Sequence, residues 1–285
     1  MTAAAVLAQA SVTPKRPRLV GVLDVLALAF LALLVVAIAI PGVLSPYDPL
    51  AATPGQTLLA PSLAHPFGTD YLGRDLFSRV MHGTSRTLLA SAIAVSIGLG
   101  IGALLGLVAA YFGRGVDAVI SRIVDVLLSI PGLLLSMMIV VALGFGSVNA
   151  AIAVGIASVA TFARLMRSEV LRVKALTFVE SSRHLGVQAS RLLFRHVLPN
   201  SWGPVLSMTT LQFGSSILAI AALSFLGYGA PPPQPEWGML VSEGREYLAS
   251  SPWLTLLPGL VIILTVLSVS RLSKLITVAR TGVRS

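Results

Sequence analysis

Apolar residues run through this chain in long blocks instead of alternating with polar ones at a strand or helix period. A hydrocarbon core of about 30 Å takes roughly 20 predominantly apolar residues in a helix to cross. Six blocks approach or exceed that length: Val20–Ile40, Leu88–Phe112, Ile120–Leu143, Ala150–Met166, Pro204–Leu226 and Leu254–Val269. Backbone groups in lipid must pair within their own segment, so all six are expected to be helices. The predicted fold class is an all-α polytopic membrane protein with six transmembrane helices. Its layout is a cytoplasmic tail (1–19), a first transmembrane helix (20–44), an external segment (45–87), a membrane core (88–276) and a cytoplasmic tail (277–285). Within the core lie a long cytoplasmic loop (167–203) and an external proline-rich loop (227–253). The third block contains Asp125 and Pro131. An ionised side chain at mid-helix costs about 2.5–3.5 kcal/mol on the insertion scale, so Asp125 is expected near the cytoplasmic end or paired inside the bundle.

Composition agrees: 55% of the 285 residues are hydrophobic and 11% charged, against about 25% charged in a soluble domain. The net charge of +9 is carried between the apolar blocks and not on a polar domain, which speaks for a membrane surface and against nucleic acid. With the N-terminus inside, sixteen of the twenty basic residues fall on the cytoplasmic side, leaving Arg74, Arg79, Arg86 and Arg245 outside. Both termini are therefore expected in the cytoplasm. Lys15, Arg16 and Arg18 precede an apolar run that reaches Ala37-Ile38-Ala39, the outline of a cleaved signal. That run exceeds the usual signal core of about 7–15 residues, so it is expected to remain as a helix. With no Cys, the chain has no disulfide framework, thiolate metal site or Cys nucleophile.

Gly98, Gly102 and Gly106, with Gly100 between, form a small-residue face on the second block, which lets another backbone approach closely. Thr209, Gln212 and Ser216 share one face of the fifth; they serve either interhelical hydrogen bonds or a polar translocation path. The external segment holds a run from His65 to Arg79 dense in turn formers and opposite charges. Its His65, Asp70, Asp75 and His82 match no zinc or calcium spacing, so a salt-bridged cap is expected there and no metal site. The second external loop places Pro231, Pro232, Pro233 and Pro235 before Glu236-Trp237-Gly238. Prolines favour extended backbone, and Trp237 and Trp253 suit a membrane interface. Such a loop is a stiff connector or a docking surface; Asp70, Arg74, Asp75, Glu236 and Trp237 are the candidates for external contact.

The long cytoplasmic loop reads Glu180-Ser181-Ser182-Arg183-His184-Leu185-Gly186, then nine residues to His196-Val197-Leu198-Pro199. Gly186 can turn a short helix sharply, and Pro199 is expected to stop the next one. Arg191 and Arg195 lie four apart, a spacing that suits anionic lipid or a protein partner equally.

This loop resembles that of the permease subunits of ATP-binding-cassette importers, which carry E-A-A-x-x-x-G, nine residues, then I-x-L-P. Glu180, Gly186, Leu198 and Pro199 match; Ser181 and Ser182 replace the alanines, and His196 follows the H-x-L-P form of the peptide and nickel subfamily. The chain further resembles the C-type subunit of dipeptide and oligopeptide permeases. It has H-P-x-G-T-D-x-x-G-R-D-x-x-S-R from His65 to Arg79, L-S-F-L-G-x-G from Leu223 to Gly229, and P-x-W-G from Pro235 to Gly238. The family's tail rich in Asn, Asp and Pro is replaced by Ser270-Arg271-Leu272-Ser273-Lys274. The resemblance implies a type I importer permease (MetI-like) fold with cytoplasmic coupling helices, in a bacterial inner membrane. Glu180, Ser181, Ser182, Gly186, His196, Leu198 and Pro199 would then contact an ATPase subunit. It further implies a second permease, two ATP-binding-cassette subunits holding ATP and Mg, and an external binding protein that delivers peptides, nickel chelates, glutathione or another small solute.

No lysine of this chain follows a glycine, so the G-x-x-x-x-G-K-[ST] phosphate loop is lacking. ATP hydrolysis is expected on separate subunits, and the chain is not expected to be an enzyme. An intramembrane protease would need a base within the bundle, yet all four histidines are expected in loops. A self-sufficient secondary transporter would place ionisable groups at mid-membrane, where only Asp125 comes close. Reporter fusions after Lys174 and Lys274 are expected to read cytoplasm, and fusions near Gln56 and Pro233 the outside. An external signal at Lys174 would overturn the six-span topology.

Overall fold

The computed structural model describes residues 21–45 and 47–281. The tail residues 1–19 and 282–285, with Lys15, Arg16, Arg18 and Arg284, lie outside that range. The elements in order are α1 (Val22–Ala39), α2 (Pro41–Leu44), α3 (Leu76–Phe112), α4 (Arg114–Ser129), α5 (Gly132–Leu143), α6 (Ser147–Lys174), α7 (Thr177–His184), α8 (Ala189–Leu192), α9 (Leu198–Phe225), α10 (Trp237–Gly244) and α11 (Trp253–Thr281). A π-helical turn, Leu193–Val197, joins α8 and α9 into one rod. Among the described residues, five helices are long and apolar enough to cross a membrane; α4 and α5, bent by 95°, supply a sixth crossing if they count as one.

Several boundaries depart from the hydropathy pattern. α3 begins at Leu76, twelve residues before the apolar block, because the Asp75 carboxylate caps it by accepting from the Ser78 amide at 2.7 Å and the Ser78 hydroxyl at 2.6 Å. Its first turns carry Ser78, Arg79, His82, Ser85 and Arg86, which hide the helix from a hydropathy scan; His82 is thus helical, not in a loop. The third block is broken at Ile130-Pro131, where proline disfavours helix for the residue before it. α6 continues eight residues past Met166, and α11 twelve past Val269. The proline-rich loop is not extended throughout, since Pro232 and Pro233 form a turn, and after Glu236 α10 forms.

α3 and α6 form the largest helix pair, and the small-residue face accounts for it. A Cβ on Gly102 would fall 2.7 Å from the Phe162 Cβ, one on Gly106 2.9 Å from the Met166 Cβ, and one on Gly155 2.9 Å from the Ile97 Cβ. Gly100, on another face, meets nothing. α9 packs on this pair through Ala103, Phe162, Met166 and Val205. α4 uses a different face of it, through Leu105, Ala160, Ala163 and Val124. α1 and α11 close the bundle around Leu34, Ala37, Val261 and Ile262.

At one end, here the cap end, residues 47–75 and α10 fold over the bundle. Asp70 Oδ2 accepts from Arg74 Nε at 2.6 Å and Arg79 Nη1 at 2.5 Å, and Arg79 Nη1 also donates to Glu243 Oε2 at 2.9 Å. Arg79 is wholly buried, and Asp75 also pairs with His65 Nδ1 at 2.8 Å. Glu236 is buried without a cation; it accepts from the Ser147 and Ser224 hydroxyls at 2.9 and 2.7 Å and from the Ala230 amide at 2.9 Å. The Trp237 indole donates to the Val80 carbonyl at 3.0 Å. Trp237 therefore belongs to the core, not to a membrane interface. Asp70, Arg74, Asp75, Glu236 and Trp237 all point inward. Instead of forming an outward contact surface, these side chains pin the cap to the bundle, and a partner would meet only what they support. Among the described residues no cluster of three His, Asp or Glu is arranged for a metal ion.

Breaking a buried charge pair by removing one partner typically costs about 3–5 kcal/mol. Arg79→Met, which leaves Asp70 and Glu243 to share Arg74, is expected to lower the unfolding temperature of the purified protein. Arg86→Met, at an exposed contact with Gln234, is expected to change it little.

Candidate functional site

The opposite end, the loop end, is built from the chain between α6 and α9. Lys174 Nζ donates to the Ala110 carbonyl at 2.8 Å, which fastens the end of α6 to the last turns of α3. The chain then turns, and α7 runs with one side chain, Val179, buried. Val179 packs with Val173, Leu192, Leu193 and Val197, so one hydrophobic cluster holds the loop. Phe178, Glu180 and Ser181 face solvent, while the Ser182 hydroxyl donates to the Phe178 carbonyl of its own helix at 2.8 Å. Glu180 sits in the first turn of α7, where the helix dipole favours a carboxylate.

α7 ends on Gly186, whose φ of +79° only glycine adopts without strain. The Val187 amide reaches back to the Ser182 carbonyl at 3.2 Å, which closes a Schellman turn, and Val187 packs against the Val179 cluster. A Cβ at Gly186 would meet no atom within 4 Å, so the requirement is conformational and not steric. The turn leaves Leu185 at 85% exposure, with Phe194 at 65% on the next element.

Pro199 does not stop a helix. The Leu198 amide donates to the Leu193 carbonyl five residues back, and this widened turn sits immediately ahead of the proline. A proline ring clashes with the carbonyl four residues earlier and lacks an N–H, and a π turn relieves both problems locally. Asn200 Nδ2 and Ser201 Oγ take up the His196 and Val197 carbonyls at 2.6 and 2.8 Å. The His196 ring lies 6.4 Å from that of Phe178, so the π turn and α7 touch. Glu180, Ser181, Gly186, His196, Leu198 and Pro199 thus belong to one compact segment with Ser182 inside it. The outward apolar pair Leu185 and Phe194 carries no local pattern that marks it in the sequence.

Thr209, Gln212 and Ser216 follow one another along α9, the first two half-buried and the third fully buried. The Thr209 hydroxyl is spent on the Val205 carbonyl at 2.9 Å, Gln212 is half-buried, and Ser216 is enclosed with its hydroxyl unpartnered among the described residues.

Residues 102–279 match the family described as binding-protein-dependent transport system inner membrane component. The dipeptide transport system permease protein of Alkalihalophilus pseudofirmus is 44% identical over 214 residues, 75% of this chain and 70% of that one. A glutathione transport system permease protein of Pectobacterium atrosepticum is 44% identical over 73% of this chain and 69% of its own length. A probable D,D-dipeptide transport system permease protein of Escherichia coli is 41% identical over 78% and 74%. Among solved structures, the inward-facing MetNI methionine ABC transporter aligns with a TM-score of 0.58 over 70% of this chain and 95% of that chain, at 18% identity. An amino acid ABC transporter aligns at 0.56 over 69% and 92%, also at 18%. These two bear on the fold, and the sequence relatives on the lineage. The chain belongs to the family of binding-protein-dependent transport system inner membrane components, the permease subunits of ABC importers.

Proposed function

We propose that this chain, paired with a second permease, forms the path by which an ABC importer admits short peptides through a bacterial inner membrane. The observation that carries this reading is the loop-end segment: an exposed α7 fixed by a glycine turn and anchored by one cluster to the helices that make the bundle. Such a segment can be pushed from outside and move the bundle as a body. The ATPase subunits would push it, Leu185 and Phe194 supplying apolar contact and Glu180 and Ser181 the polar rim. The chain hydrolyses nothing itself; ATP and Mg belong to those subunits. The loop end and both termini lie in the cytoplasm, a reading that the sixteen-to-four distribution of basic residues supports. The cap end faces the external binding protein.

The peptide assignment rests on the relatives, named for dipeptides, glutathione and a D,D-dipeptide. Of Thr209, Gln212 and Ser216, Gln212 is neither spent on its own helix nor enclosed, so it is the group of the three that a second permease would leave facing a path.

Gly186→Val should insert normally and retain the second permease, because no membrane helix is touched. The strain of a β-branched residue at positive φ, about 1 kcal/mol or more, should displace α7. Uptake into vesicles and recovery of the ATPase in pull-downs are expected to fall together. Glu180→Ala should be milder, since an exposed charge contact is worth about 1 kcal/mol or less. Wild-type uptake by Gly186→Val at equal expression would exclude this segment as the coupling element. Gln212→Leu is expected to reduce uptake with assembly intact; equal loss of assembly would assign Gln212 to packing.

A further inference from the structure

A half-open cavity of about 210 Å³ lies where α4 crosses α3 and α6 toward the loop end. Gly106, Ala109, Val124 and Ala163 make its apolar floor, and Ser121, Asp125, Arg164 and Arg167 stand around it. Between Ser147 and Arg164, α6 carries no charged residue. At 1.5 Å per residue Arg164 lies about 25 Å along that helix, close to where a hydrocarbon core of about 30 Å ends. The cavity therefore opens at the level of lipid head groups.

Its charges are arranged in pairs. Arg167 is held in a bidentate pair, giving Nε and Nη2 to the two oxygens of Asp117 at 2.5 and 2.7 Å. Arg164 gives only Nη2, to Asp125 Oδ1 at 2.7 Å, and both partners are more than half exposed. Among the described residues, Arg164 Nε and Nη1 and Asp125 Oδ2 have no partner. Unused N–H donors and an unused acceptor atom thus sit on one ion pair that is open to the surroundings. On the far side of α4, Val116, Val119, Ile123 and Val126 recur at spacings of three and four, all exposed. That face suits an apolar surrounding and not water.

We propose that the cavity binds the head group of a phospholipid bearing both a phosphate and a primary ammonium. The phosphate accepts from the unused N–H groups of Arg164, the ammonium donates to Asp125, and the acyl chains lie against the outer face of α4. The two arginines are balanced by Asp117 and Asp125, so a purely anionic head group would meet Asp125 with nothing to offer it. A choline head group has no N–H to donate. The volume is also below the roughly 300–1,000 Å³ of sites for larger ligands, which argues against the transported peptide as occupant.

The test uses the assembled transporter, incubated with an equimolar mixture of phosphatidylethanolamine, phosphatidylcholine and phosphatidylglycerol, with retained lipid counted by native mass spectrometry. Wild type should retain the ethanolamine lipid over the choline lipid by about fivefold, the worth of one charged contact. Asp125→Asn should erase that preference while still retaining phospholipid. Arg164→Gln should lose retention of all three. The swap Asp125→Arg with Arg164→Asp preserves the clamp between α4 and α6, so it should assemble as wild type yet retain the ethanolamine lipid poorly. Equal retention of the three lipids by wild type, or wild-type selectivity in the swap, would overturn the proposal. So would a cross-link from Ser121 to the second permease, which would show that a protein covers the cavity.

Discussion

The bundle depends on how closely the backbones of α3 and α6 approach. In lipid there is no hydrophobic drive to bring helices together, so the contact must be made from dispersion at about 0.1–0.2 kcal/mol per atom pair. Only a dense interface supplies enough pairs, and Gly98, Gly102, Gly106 and Gly155 permit it by presenting backbone where other residues present side chains. α9 and α4 then use separate faces of the same slab. Because α6 runs unbroken for 28 residues, about 42 Å at helical rise, the slab joins the two ends of the molecule as one stiff body.

The ends are held by different physics. At the cap end, four ionised groups and a buried carboxylate are fixed by directional bonds with little exposure, and loss of any one removes bonds from its buried neighbours. At the loop end, α7 is kept by one buried valine, one glycine turn and a ring contact. An element with few buried contacts moves at low cost. The stiff end therefore suits a docking platform, and the loosely held end suits a lever.

Where a single physical rule governed an element, it could be read from the sequence. The glycine face on the second block follows from spacing alone, and so does the turn at Gly186, since few residues other than glycine accept that backbone. The salt-bridged cap was legible as a dense run of opposite charges, although Glu243, its third acid, was not. It reaches Arg79 across 164 positions of chain and carries no local mark. Hydropathy failed at the start of α3, where a cap and a buried arginine make helix out of polar residues. It failed again at Pro199, where a π turn absorbs what proline normally breaks. The inward direction of Glu236 and Trp237 was also hidden, because a proline-rich loop and a tryptophan look alike whether they dock a partner or seal a core.

The buried carboxylate of Glu236 bears on how the protein is made. Its acceptor sites are filled from three places in the chain: Ser147 at the start of α6, Ser224 near the end of α9, and Ala230 in the loop from α9 to α10. None of these donors is charged, so nothing short of all three compensates the carboxylate for leaving water. During biogenesis Glu236 can enter the interior only after α6 and α9 are already side by side. A chain with one helix misplaced would keep that loop open and hydrated, a visible mark of incomplete assembly for membrane proteases to act upon.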